Sequence, residues 1–406
     1  MASACSPLLS GDSVNTMINR RSVSIALSAA VCLCVTALWT TELQGQPQNK
    51  EKKQKAAPTR VKAVTIATGL WHPWSLAFLP NGDMLITERN GKLRLVHDGV
   101  LDPEPIAGIM PVHSVRLSGF MEVLLHPKFA ENHLVYFTYT KDVQPEGQVA
   151  TTLARGRLDG KRIVDMKDLL ICDSWAGDGG SGSRLAWGKD GMLYMTTGAS
   201  NGNAAQEPGS LRGKILRLTD EGKPAPGNPF AGKPGYKAEI FTMGHRNSLG
   251  LALNPMTGDL WSNENGPYGG DEVNILKAGA NYGWPKVSFG RDYSGPQITN
   301  FGEGVTLPVV FWAPSIAPSG MMFYTGDRFP EWKGNLFVGA MLGGAVQGVG
   351  HLERLVFNEN WDETGRQSLL TDLKQRIRDV RQGPDGLVYV ISDEENGSLI
   401  RLEPAQ

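Results

Sequence analysis

The feature that most constrains this chain is a hairpin signature that returns along its length. An apolar segment runs into a Gly-containing turn, and a short alternating strand follows. The clearest copies are Ser75–Glu88 (SLAFLPNGDMLITE), Arg184–Gly198 (RLAWGKDGMLYMTTG), Gly250–Glu264 (GLALNPMTGDLWSNE) and Asp379–Glu394 (DVRQGPDGLVYVISDE). Each sets Asn-Gly, Asp-Gly or Thr-Gly between two runs of strand formers, which is the chemistry a tight hairpin turn requires. Weaker copies at Glu122–Tyr139 and Gly320–Ala340 fill the gaps, so turns fall near Asn81, Glu131, Asp190, Thr257, Gly334 and Asp385. Hairpin modules repeated at this spacing bury their faces against their neighbours around a ring. The reading is all-β: a six-bladed β-propeller of four-stranded antiparallel sheets. A pair of β-sandwiches is the alternative, but the repeat crosses the middle of the chain without a linker. Helix formers dominate only in Asp362–Asp379. Two lone strands, Ala63–Ala67 and Gly397–Leu402, are expected to pair within one blade and so remove two exposed edges.

Composition bounds the rest. The 49 glycines and 25 prolines among 406 residues suit a turn-rich fold, and a net charge of −1 provides no basic field for nucleic acid. Arg20-Arg21 precedes the charge-free run Val23–Trp39, which reads as an export signal over residues 1–45. A retained membrane anchor is the alternative, although the run falls short of a span of ~20 residues. Residues 46–60 are polar, lysine-rich and free of aromatics, the composition of a disordered linker, leaving 61–406 as the propeller. Cys5, Cys32 and Cys34 fall in the leader, so Cys172 alone remains and no disulfide is expected.

Chemistry concentrates in three segments: Gly244-His245-Arg246-Asn247, Glu264–Glu272 (ENGPYGGDE) and Asn281–Pro285 (NYGWP). Glycine and proline turns beside acids can aim carbonyl and carboxylate oxygens at a hard cation such as Ca²⁺. On residues alone, acids that cap turns explain the loop more simply. His97, His133 and His351 lack zinc spacing, and no Ser-His-Asp elbow or phosphate-binding glycine loop occurs.

Together with Pro73–Phe78, Gly213–Leu218, Pro314–Gly320 and Arg376–Val380, these segments resemble the soluble PQQ-dependent glucose/aldose sugar dehydrogenases (the glucose/sorbosone dehydrogenase family) from about Ala67 to Leu402. The resemblance implies an exported, periplasmic or secreted quinoprotein that oxidises aldose sugars and passes electrons to an external acceptor, its mature domain free of the membrane. It implies PQQ over the central channel, with Ca²⁺ held by the main-chain oxygens of Gly266 and Pro267. Arg376, Arg378, Ser315, Asn265 and Asp271 would bind the cofactor, Asp271 also supporting the loop. Arg246 and Asn247 would flank the reactive carbonyl, and Glu272 with the Tyr282 backbone would form a second, structural Ca²⁺ site.

Three positions depart from the family's pattern. The family's catalytic histidine falls on Gly180, which has no proton acceptor. A cofactor-contacting glutamine and lysine fall on Leu117 and Leu342. His113 and Asp178 are candidate substitute bases. The rival reading is a catalytically inactive, calcium-stabilised propeller that binds a ligand or protein partner.

Overall fold

The computed structural model describes residues 60–177, 180–200 and 202–405, so the leader, nearly all of the linker and Asp178 lie outside the described residues. Six antiparallel sheets form the blades. Their first strands are Pro73–Phe78, Phe120–Leu125, Gly182–Trp187, Ser248–Leu253, Pro318–Phe323 and Ile377–Gln382. Each first strand packs on the next, and the last packs back on the first, so these six line the axis. All six predicted turns join the first and second strands of a blade.

The ring closes as the two lone strands foretold. Val61–Leu70 pairs with Gly397–Pro404, from Val61 opposite Pro404 to Leu70 opposite Gly397, in register up to Thr65 and shifted twice after it. Ala405 N donates to Arg60 O at 2.8 Å, so the two described ends meet in one blade. The N-terminal strand thereby covers the edge that Gly397–Pro404 would otherwise expose.

Two details differ from expectation. The Asp362–Asp379 stretch is not helical: Glu363–Leu369 is a strand, a 3₁₀ turn covers Thr371–Leu373, and the next strand starts at Ile377. Pairing with His351–Phe357 overrides the local helix preference, and exposure alternates along the strand with the period of two that an outer strand has. The second blade has five strands, because Arg162–Ile171 and Trp175–Ala176 both pair with Gln148–Asp159. Cys172 is buried and unpaired, and burial pushes its thiol well up.

Every axial strand breaks register with its neighbour near its start, for example between Pro73 and Ser75 and between Ile377 and Asp379. Such a bulge sharpens the twist and re-aims the side chains at that end of the strand. Below the bulges the axis is plugged by charge. Arg184 reaches Glu122 at 3.2 Å and Asp379 at 3.0 Å, while Arg381 reaches the same two acids at 2.8 and 2.9 Å. The quartet is charge-balanced, and its partners come from three different blades. The Arg184 guanidinium also lies 4.1 Å from the centre of the Trp74 ring. Removing one member of such a buried set costs ~3–5 kcal/mol because its partner is stranded.

Candidate active site

At the bulged ends of the axial strands the structure opens into a cup of about 560 Å³. Its floor is apolar: Leu249 and Met341 line it and pack with buried Trp74 and Met121. Its walls carry four arginines, Arg116, Arg246, Arg376 and Arg378, and among the described lining residues there is no carboxylate and no imidazole. A cavity of this sign concentrates anions.

The guanidiniums of Arg246, Arg376 and Arg378 are held in place. Arg378 is 1% exposed and forks onto Asp393 through Nε and Nη2. Asp393 is a hub, accepting from His72 Nδ1 at 2.8 Å and lying 3.7 Å from both Arg89 and Arg376. Burial alone would raise its carboxyl; the Arg378 guanidinium, the His72 hydrogen bond and Arg89 hold it well below the usual carboxylate range. One carboxylate therefore serves three arginines, and the surplus positive charge faces the cup.

Arg246 crosses to the opposite wall. Its backbone N donates to Glu264 Oε2 at 2.9 Å, and Nη1 donates to the carbonyls of Asn265 at 3.0 Å and Gly266 at 2.9 Å. Nη2 donates to Tyr293 Oη at 3.1 Å, and the guanidinium lies 5.2 Å from the Trp284 ring centre. Its buried Nε has no hydrogen-bond partner among the described residues. Asn247 Oδ1 accepts from Gly182 N at 3.0 Å, which fixes the amide next to Gly180.

The Gly266-Pro267 turn is pinned from below by Asp271. One carboxylate oxygen accepts from Gly266 N at 2.8 Å, and the other accepts from Ser315 Oγ, Ile316 N and Ala317 N at 2.7, 2.8 and 2.9 Å. Asp271 thus ties two rims of the cup together, buried beneath it rather than lining it. Burial pushes its carboxyl up against these hydrogen bonds.

Of the residues singled out in the sequence, Gly180, Arg246, Asn247, Asn265, Gly266, Pro267, Ser315, Arg376 and Arg378 all line this one cup, as do Leu117 and Leu342. Glu272 does not. It sits opposite Glu264 in the sheet, beside a separate small void shared with Gly266, Gly270 and Ser288. Burial and the adjacent Glu264 push the Glu272 carboxyl well up. Tyr282 stacks on His245 and donates its hydroxyl to Ile275 O at 2.6 Å. His113 lies outside the cup with Nδ1 on Asp142 at 2.7 Å. Arg116, Ser200 and Tyr293 line the cup without having been singled out. For Tyr293 a signal existed: a lone aromatic within Gly290–Gln297 (GRDYSGPQ) has no core to serve.

Comparison with known proteins agrees with this geometry. The family model described as Glucose / Sorbosone dehydrogenase matches residues 70–401. The chain is 40% identical to "Aldose sugar dehydrogenase YliI" of Escherichia coli over 86% of its length and 94% of that protein. It is 41% identical to "Uncharacterized protein slr1608" of Synechocystis over 93% and 96% of the two chains. The solved PQQ-bound form of aldose sugar dehydrogenase from Streptomyces coelicolor superposes with a TM-score of 0.70 at 27% identity, covering 86% of this chain and 99% of that one. With the six blades, the axial cup and a match along nearly all of the propeller, this chain belongs to the glucose/sorbosone dehydrogenase family.

Proposed function

We propose that the protein is an exported oxidoreductase that oxidises aldose sugars in the axial cup, using PQQ and Ca²⁺ and releasing electrons to an external acceptor. The observation that carries this reading is the cup's charge: four arginines and no acid among the described lining residues suit a flat cofactor bearing three carboxylates. Arg376 and Arg378 would grip those carboxylates, their planar forks suited to bidentate pairing. Ser315, oriented by Asp271, would hydrogen-bond the cofactor's edge. When bound, PQQ supplies the acceptor for the hydride that leaves the sugar carbon.

Arg246 and Asn247 would then lie beside the developing negative charge, where fixed donors would stabilise it without reorganising. The cation fits under one condition. The carbonyls of Gly266 and Pro267 would be the protein oxygens on offer, that of Gly266 on the lone pair left free by Arg246 Nη1; both oxygens of Asp271 are already engaged. A Ca²⁺ ion needs six to eight oxygens, so it would be held only together with an oxygen-rich ligand. The buried Glu264–Glu272 pair suits a second, structural cation, whose charge would relieve the repulsion between the two carboxylates.

The hydroxyl proton needs an acceptor, and Gly180 supplies none. Asp178, two residues away, is the base this reading favours over His113, whose imidazole is engaged by Asp142 outside the cup. Gly180, Leu117 and Leu342 in the cup's lining favour one rival: a catalytically inactive, calcium-stabilised propeller that binds a ligand or protein partner. Purified protein incubated with PQQ and Ca²⁺, then assayed for dye reduction by glucose, separates the two. Turnover requiring both additions supports the enzyme; retention of PQQ without turnover supports the rival.

A further inference from the structure

Asp393 divides its two oxygens between different partners. Oδ2 takes Nε and Nη2 of Arg378, while Oδ1 takes His72 Nδ1 at 2.8 Å. With one oxygen engaged by each, the carboxylate has no free edge on which a second guanidinium could fork. Arg376 stops 3.7 Å from Oδ2, beyond hydrogen-bond distance. Among the described residues its one side-chain hydrogen bond runs from Nη2 to Met341 Sδ at 3.5 Å, and a thioether is a weak acceptor. Arg376 therefore lines the cup with most of its donors uncommitted.

His72 stands on the other side of the carboxylate, and neither it nor Asp393 lines the cup. The backbone fixes its place. His72 N donates to Glu394 O at 2.8 Å, its carbonyl accepts from Arg89 N at 3.3 Å, and its φ is +41°. The Trp71 ring meets the imidazole edge-on at 4.7 Å. An imidazole held this firmly anchors Oδ1. Without it, Oδ1 would lack its hydrogen bond, and the nearest cations to the carboxylate besides Arg378 are Arg89 and Arg376, each at 3.7 Å. A carboxylate turning toward Arg376 would close the fork that now faces the cup.

We propose that His72 is a positioning residue for anion binding: by holding Oδ1 of Asp393 it keeps the Arg376 guanidinium open for a carboxylate in the cup. It touches no ligand and acts through Asp393. This rests on the reading of the cup as the site of an anionic cofactor, and the test keeps the two apart.

Two variants separate the imidazole from the left-handed backbone that carries it. His72→Gly relaxes the backbone and removes the donor, whereas His72→Asn tolerates the same φ and offers an amide N–H near the place of Nδ1. The purified full-length proteins, with Ca²⁺ present, are titrated with PQQ and separately with citrate, a second tricarboxylate. Urea unfolding checks that each is folded, and His72→Ala stands in should His72→Gly fail to fold. PQQ binding is expected to be about tenfold weaker in His72→Gly, the worth of a hydrogen bond to a charged group, and within about threefold of wild type in His72→Asn. Placed on Arg376→Ala, His72→Gly should cost no further affinity, because the group it keeps open is gone; an undiminished further loss would show a merely structural role and overturn the proposal. Citrate binding that follows the expected order in a chain that takes no PQQ would uphold the role of His72 and overturn PQQ as the ligand. PQQ bound equally by wild type and His72→Gly, or equally weakly by both variants, would overturn the role of His72 and leave the cofactor reading standing. Binding of neither probe would overturn both.

Discussion

The hydroxyl of Ser200 fills the space that a side chain at Gly180 would need: a Cβ placed on Gly180 would lie 2.1 Å from Ser200 Oγ. Gly180 also sits at φ +69°, in the left-handed region where a non-glycine residue is strained by ~1–2 kcal/mol. Space and backbone conformation together therefore suit this corner to glycine.

The consequence is specific. Gly180→His alone is expected to lower thermal stability and to leave sugar turnover no higher than wild type. Gly180→His combined with Ser200→Gly removes the clash and should raise turnover, with a pH dependence near that of a histidine, ~6.5. Steady-state kinetics against pH checks both. A tenfold gain from the single variant would show that the space is not closed.

The two arginines on the Asp393 side should separate binding from folding. Arg376 is partly exposed, so Arg376→Ala should weaken PQQ binding by ~10–100-fold, about the worth of a charge-assisted pair, with little change in melting. Arg378→Ala removes the buried guanidinium that hydrogen-bonds Asp393, leaving it His72 and two more distant arginines, and should also cost a few kcal/mol of stability (~3). Titration calorimetry with PQQ and urea unfolding distinguish the two.

A buried lysine gives the fold a pH signature. Lys214 spends its three donors on the carbonyls of Ala204, Ala205 and Arg212 at 2.7, 3.0 and 2.8 Å, and burial lowers its pKa to about 7. The unfolded chain keeps this proton up to the ordinary lysine value of 10.5, so between the two values the unfolded state binds more protons. Stability from this group is thus fully present above pH 10.5 and is lost as the pH falls through about 7. Relative to Lys214→Met, wild type should gain up to ~4 kcal/mol across that window. Parallel slopes in urea midpoints measured at pH 7 and pH 10 would refute it.

Glu272 offers a metal test that does not depend on turnover. Glu272→Gln removes one of two adjoining buried carboxyls, so the variant should melt higher than wild type in EDTA. Wild type should gain stability on adding Ca²⁺, and the variant should gain far less. Equal calcium responses in differential scanning calorimetry would place any structural cation elsewhere.

The sequence was legible where local chemistry decides the outcome. Turns such as Asn81-Gly82 and Asp385-Gly386 need positive φ at their glycine, and that need marked five of the six blades, the second turning at His133 instead. The pairing of the two chain ends followed from two strands with no local partner. Asp362–Asp379 misled because its residues favour helix in isolation, and only the neighbouring strand His351–Phe357 overrides them. In the cup, the residues of continuous motifs were readable, whereas features assembled from different blades were not. Asp393 became recognisable as a hub only once Arg89, Arg376, Arg378 and His72 were seen to converge on it. Tyr293 escaped notice because it lies between Ile275 and Val310, a long connection with no strand of its own.

The most direct test of the account is anaerobic single-turnover spectroscopy on the purified propeller loaded with one equivalent of PQQ and excess Ca²⁺. The account predicts a protein-bound quinone band that glucose bleaches stoichiometrically, and that Arg376→Ala binds more weakly. A chain that retains no quinone, or one whose bound quinone survives saturating sugar unchanged, would contradict it.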